Sequence, residues 1–327
     1  MLEQQWFHRI FQTDKESFED AALELFRFQA RENPVYHDYL EALQVPPENV
    51  TCLEQIPFLP IRFFKSHAVV TTQFEPVMLF ESSGTTGVQS SRHLIKDISL
   101  YEQSFIRGFE DRYGPAGNWC ILGLLPSYLE KGNSSLVYMV DQLIRRSGHP
   151  RGGFYLNEGE KLAGELEQLE RMGQQTLLLG VTYALLDFAA AFPIPLKHTI
   201  VMETGGMKGR REELLREQVH EILKEAFGLG AIHSEYGMTE LLSQAYSKGE
   251  GLFYGPGWMR VLVRDEEDPL TVRRTGTGAL NIIDLANYYS CAFIATEDAG
   301  KVGADGGFEV LGRMDGSDLR GCSLLIA

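Results

Sequence analysis

The sequence has 327 residues, room for one large α/β domain or two ordinary ones. At 44% hydrophobic, 11% aromatic and 23% charged it is balanced like a globular protein, which excludes a disordered or fibrous chain. Its 30 Lys+Arg against 45 Asp+Glu give a net charge of −15, which argues against general binding to nucleic-acid phosphates or anionic lipid.

Residues 1–45 read as helices, with Phe18, Ala21, Ala22, Leu25, Phe26 and Phe28 at helical spacing and Asn33-Pro34 breaking the run. The N-terminus lacks a long apolar core and carries early acidic residues, so no secretory signal is expected. From about Val69 the pattern becomes short apolar runs alternating with amphipathic stretches. The runs include 119-WCILGLL-125, 176-TLLLG-180, 198-HTIVME-203 and 231-AIHSEY-236; the helical stretches include 97–112, 134–147, 160–172 and 209–227. Such alternation predicts a largely parallel sheet covered by helices. After Gly251 come 259-MRVLVR-264, 278-GALNIID-284, 292-AFIATED-298 and 307-GFEVLGR-313, short strand-like segments separated by Gly, Asn and Asp. The expected architecture is therefore α/β, divided as a helical segment 1–65, an α/β core 66–250 and a β-rich subdomain 251–327.

The four cysteines, Cys52, Cys120, Cys291 and Cys322, form no CxxC pair, which fits a reducing compartment and a cytoplasmic protein. No window approaches 18 consecutive apolar residues, so no membrane span is expected. The eight histidines show no metal-ligand spacing such as HExxH, and His233, on an apolar run, reads as a core residue.

The sharpest local signal is 80-FESSGTTGVQSSRH-93. Its glycines free the backbone to wrap a ligand, and the hydroxyls of Ser82, Ser83, Thr85 and Thr86 with the backbone N–H groups offer a donor-rich cradle for phosphates. It is not a Walker A loop, because GxxxxGK[ST] is absent, and a Ser/Thr/Gly cluster also serves as a plain turn.

The string SSGTTG, covering Ser82, Ser83, Gly84, Thr85, Thr86 and Gly87, resembles the phosphate-loop motif of acyl-adenylate-forming enzymes. Further matches follow in that superfamily's order: 203-ETGGMK-208, 234-SEYGMTE-240, 296-TEDAG-300 and 312-GRMDGSDLRG-321. The resemblance implies that Gly205 and Gly206 hold the adenine, with Tyr236 and Gly237 flanking it. It further implies that Thr239 holds a phosphate oxygen and Glu240 is the Mg²⁺ ligand, while Asp298 and Arg313 take the ribose and phosphate end of ATP. From the residues alone, Glu240 could equally be a helix N-terminal acid, and Asp298 and Arg313 a surface ion pair.

Two departures stand out. Most of the superfamily continues the phosphate loop as TGxPKG, whereas this chain has 86-TGVQSS-91; Arg92 or Lys96 are the nearby cations. The hinge element ordinarily leads into a mobile C-terminal lid domain, and here the sequence ends 14 residues past Arg313. The tail 320-RGCSLLIA-327 resembles that of the acyl-protein synthetase component of the bacterial luminescence fatty-acid reductase complex. That resemblance implies activation of a long-chain fatty acid, transfer to Cys322 as a thioester, and delivery to a reductase partner. A thiolate is the needed nucleophile, and Arg320 would favour it; a small apolar core cysteine is the plain alternative. Segments 124–139 and 180–186 are candidates for an acyl pocket and equally for core. The competing functions are a CoA ligase of the phenylacetate type and a non-catalytic nucleotide- or acyl-binding subunit.

Overall fold

A computed structural model describes residues 3–82, 89–126, 132–206 and 214–314. The chain forms two compact units, one from Met1–Phe105, Met238–Gln244 and Tyr254–Met314, the other chiefly from Ile106–Gly237 and Ala245–Phe253.

In the first unit the helices Phe18–Glu32 and Pro34–Ala42 meet at Asn33. Proline cannot donate within a helix, so the chain starts afresh there: the Asn33 side chain caps the second helix by accepting the Tyr36 N–H at 3.1 Å. The apolar stripe of Phe18–Glu32 buries Phe18, Ala22, Leu25 and Phe26, and Phe26 packs edge-on to Phe293, 5.8 Å between ring centroids. The sheet beneath is antiparallel: Met259–Arg264 pairs with Gly276–Asp284, which pairs with Phe293–Val302, which pairs with Phe308–Arg313. Leu59–Pro60 adds in parallel to Phe293–Val302. A separate hairpin joins Met78–Glu81 to Arg92–Ile95.

Buried polar groups tie the helices to the loop after Gly276–Asp284. Gln29 donates to the carbonyls of Asn287 (2.8 Å) and Tyr288 (3.1 Å) and accepts the Ala292 N–H (2.9 Å). Both ends of the amide are thereby satisfied, as burial requires.

The second unit is the parallel α/β layer expected from the alternating pattern. Its sheet runs in the order Gly153–Phe154, Cys120–Leu124, Thr176–Gly180, Thr199–Glu203, His233–Tyr236, with Ala245–Ser247 antiparallel at the far edge. Every residue of Cys120–Leu124 and Thr176–Gly180 is buried, because helices cover both faces of such a sheet. The helices Ser135–Ser147 and Gly159–Met172 each end in a left-handed glycine, Gly148 (φ 62°) and Gly173 (φ 66°). Among the described residues no helix is long and apolar enough to cross a membrane.

Candidate functional site

The residues singled out from the sequence fall into two groups, one in each unit. Ser83, Gly84, Thr85, Thr86, Gly87 and Cys322 lie outside the described residues.

In the first unit the glycine-rich segment follows the first strand of the hairpin Met78–Glu81/Arg92–Ile95 in sequence. Its base is closed by two reciprocal bonds: the Ser82 N–H donates to the Ser91 carbonyl (3.1 Å), and the Ser91 N–H to Ser82 Oγ (2.9 Å). One residue into the returning strand, buried His93 donates from Nδ1 to the Thr239 carbonyl at 2.8 Å. Burial pushes His93 down to about 4, so the ring is neutral near pH 7. Ser91 also hydrogen-bonds the Glu240 side chain. The strand that follows the glycine-rich segment and the Thr239–Glu240 turn are thus fastened together across a long stretch of sequence.

Glu240 is 5% exposed. Burial raises its pKa, and Ser91, Arg313 and Lys65 oppose that rise. It sits in a turn with no helix starting beside it, so the helix N-terminal alternative is set aside. Its backbone is held by the Asn287 amide, which donates to the Glu240 carbonyl at 2.8 Å. Just beyond, the Asp284 carboxylate accepts the N–H groups of Leu242 (2.8 Å) and Ser243 (3.0 Å) and the Ser243 hydroxyl (2.6 Å). Neither Asn287 nor Asp284 stood out in the sequence; the signal available was the NIIDLAN string, which runs off the end of strand Gly276–Asp284.

Asp298 and Arg313 are direct cross-strand partners, with Arg313 Nε 3.6 Å from Asp298 Oδ1. Arg313 also approaches Glu297 at 3.9 Å. Asp298 is 8% exposed, while the Arg313 side chain is 37% exposed, so the pair sits at the edge of solvent with its carboxylate sheltered.

In the second unit, Gly205 and Gly206 follow the C-terminal end of strand Thr199–Glu203 with φ of 74° and 92°, a region closed to most side chains. Their carbonyls accept the N–H groups of Thr182 (3.1 Å) and Tyr183 (3.4 Å), at the start of helix Thr182–Ala191. Tyr236 is buried and lies 5.9 Å from the Phe253 ring; Gly237, after it, is exposed. Crevices at the carboxyl ends of parallel strands are where open α/β sheets hold ligands.

Two acidic residues there escaped sequence reasoning. Glu203 is 4% exposed, and burial pushes its pKa up, yet the His220 hydrogen bond, the Arg216 charge, Ser234 and the Gly205 N–H together outweigh that push and bring it to about 2. Glu235, one strand over, is pushed up to about 8 by burial and by the charge of Glu203. The same unit has a cleft lined by Leu124, Leu156, Tyr183, Phe188 and Phe192 among others. It draws on both segments expected to supply an acyl pocket or core.

The fold is similar to that of solved structures of other proteins. MatB from Rhodopseudomonas palustris, solved with ATP bound, superposes with a TM-score of 0.53 at 17% identity, covering 72% of this chain and 47% of that one. The o-succinylbenzoate coenzyme A synthetase MenE from Bacillus subtilis, in complex with ATP and magnesium ion, gives 0.49 at 14% identity, over 74% of this chain and 52% of that one. The amide bond synthetase McbA from Marinactinospora thermotolerans gives 0.48 at 18% identity, over 72% and 48%. The chain therefore spans about half the length of the structures it matches. No protein-family model matches the sequence, and no curated protein matches it.

Proposed function

We propose that this protein activates a carboxylic acid with ATP, forming an acyl-adenylate. The observation that carries the reading is the fastening, within one unit, of the glycine-rich loop's base to Glu240 and Thr239 through Ser91 and His93. Adenylation brings a carboxylate to the α-phosphate of ATP, so the barrier is set by positioning and by charge neutralisation. A carboxylate oxygen attacks the α-phosphorus, the bond to the bridging oxygen breaks, and pyrophosphate leaves with the electron pair. In this reading Ser82 to Gly87 and Thr239 hold the phosphates, Asp298 accepts the ribose hydroxyls, and Arg313 balances charge beside it. Gly205, Gly206, Tyr236 and Gly237 hold the adenine.

Among the described residues no cluster of three or more His, Cys, Asp or Glu is arranged to hold a metal. In this reading Glu240 would hold Mg²⁺ through its carboxylate. When bound, the ion neutralises charge on the reacting phosphates.

The acid is proposed to be a long-chain fatty acid, supported by the apolar side chains Leu124, Leu156, Phe188 and Phe192 in the cleft, which Asn157 and Asp187 also line. The acceptor is proposed to be Cys322: its thiolate attacks the acyl carbon, AMP leaves, and the resulting thioester is handed to a reductase partner. Intact-protein mass after incubation with Mg·ATP and a panel of acids tests this. A gain of one acyl group that disappears in Cys322→Ser is expected. Acyl-adenylate formation without a mass gain, with turnover dependent on free CoA, would replace the Cys322 step by CoA ligation. The absence of ATP–pyrophosphate exchange with every acid would overturn the adenylation reading.

A further inference from the structure

We propose that Glu203 is a positioning residue for the nucleotide, acting on both elements assigned above to the adenine; this rests on that assignment. The Glu203 carboxylate stands at the C-terminal end of a central strand and divides its two oxygens. Oε2 accepts the Gly205 N–H at 2.7 Å and the Thr182 hydroxyl at 3.1 Å. It therefore pins the diglycine turn from within, while the carbonyls of that turn are held by the first N–H groups of helix Thr182–Ala191. Oε1 faces the other way, 3.4 Å from Arg216 Nε and 3.7 Å from His220 Nε2.

Arg216 extends the arrangement. Its guanidinium lies over the Phe253 ring, 5.0 Å from the centroid, and Phe253 in turn packs against Tyr236. A planar cation held between a carboxylate and an aromatic face has little rotational freedom. One buried carboxylate thus sets the diglycine turn directly, and sets the backing of Tyr236 through Arg216 and Phe253. Glycines at φ of 74° and 92° have no side chain to hold their own conformation, so the turn needs an outside anchor.

The adenine elements make contacts that persist from bound ATP to acyl-AMP. Loosening them removes uniform binding, which raises KM with little change in kcat. Glu203→Gln keeps the size and one acceptor oxygen but removes the charge facing Arg216 and His220. Arg216→Lys keeps the charge and loses the planar group over Phe253. ATP–pyrophosphate exchange and ATP binding by calorimetry are measured for both variants beside the wild type. Expected are a rise of about tenfold or more in KM and Kd for ATP in Glu203→Gln, a smaller rise in Arg216→Lys, and KM for the acid and kcat within about threefold. Unchanged ATP affinity in both variants overturns the role of Glu203 while leaving adenylation standing. Parallel losses in ATP, acid and kcat would reduce Glu203 to a structural residue. A wild type that binds no ATP and shows no exchange overturns the nucleotide reading and this role with it. Should Glu203→Gln fold poorly, Arg216→Lys, at a half-buried side chain, decides by the same split.

Discussion

The two units solve one problem, a carboxylate out of water, in opposite ways. In the first, Asp284 is fully buried and, among the described residues, is met by neutral donors: the N–H groups of Leu242, Ser243 and Ala286 and the Ser243 hydroxyl. Burial outweighs those bonds, and its pKa is raised. In the second, Glu203 is nearly as buried but faces Arg216 and His220, and its pKa falls to about 2. At Asp284 neutral donors leave burial dominant; at Glu203 the His220 hydrogen bond and the Arg216 charge reverse the balance. The difference matches the use of each group. Asp284 holds backbone, the segment leading away from Glu240, whereas Glu203 holds the Gly205 N–H and the Thr182 hydroxyl on one oxygen and faces Arg216 with the other.

The contrast can be broken most forcefully at Asp284. Asp284→Ala strands several buried donors at once, and we expect about 3–5 kcal/mol of destabilisation in urea unfolding. A loss under about 1 kcal/mol would mean that the segment 242–243 relaxes onto other acceptors. A smaller effect, readable in pH, comes from Glu235. Folded Glu235 keeps its proton to about pH 8, while the unfolded chain loses it near the ordinary 4.5. Across that window the unfolded state binds fewer protons, so this group's contribution to stability is full below 4.5 and declines as the pH rises to about 8. Glu203 contributes the reverse: its stabilisation is present above 4.5 and lost as the pH falls toward 2. Thermal unfolding between pH 5 and 9 should show Glu235→Gln flattening a decline worth on the order of a few kcal/mol in the parent. An unaltered slope would place the titration elsewhere. The smallest effect is expected at Arg274, which bridges Glu19 (2.8 Å) and Glu54 on the surface of the first unit. Arg274→Ala should cost less than about 1 kcal/mol and less still at high salt, because exposed pairs are screened.

The segments 119–125, 176–180, 198–203 and 231–236 were legible as strands because each is a short apolar run between turn formers. They appear as Cys120–Leu124, Thr176–Gly180, Thr199–Glu203 and His233–Tyr236. The C-terminal strands were legible for the same reason, with Gly276–Asp284 and Phe293–Val302 running longer than the apolar pattern alone suggested. Helix Thr182–Ala191 was harder to read: it is apolar nearly all round, and a helix without a polar stripe gives no periodic signal. Among the candidate residues, the diglycine, the Thr239–Glu240 turn and the Asp298–Arg313 pair were visible from their motifs. His93, Asp284, Asn287 and Glu203 were not, since a lone histidine or carboxylate is silent until its partners are known.

The sequence by itself determined the order of elements, the positions of the turns and the residue types at the candidate site, because apolar periodicity and backbone-permissive residues act over a few neighbours. Only the tertiary structure decided which groups meet: His93 with a carbonyl 146 residues on, Leu242 with Asp284 across 42, Thr182 with Glu203 across 21. Such pairings are set by strand order and packing, and the charge state of each carboxylate follows from them, since it depends on the donors and cations that packing brings within a few ångströms.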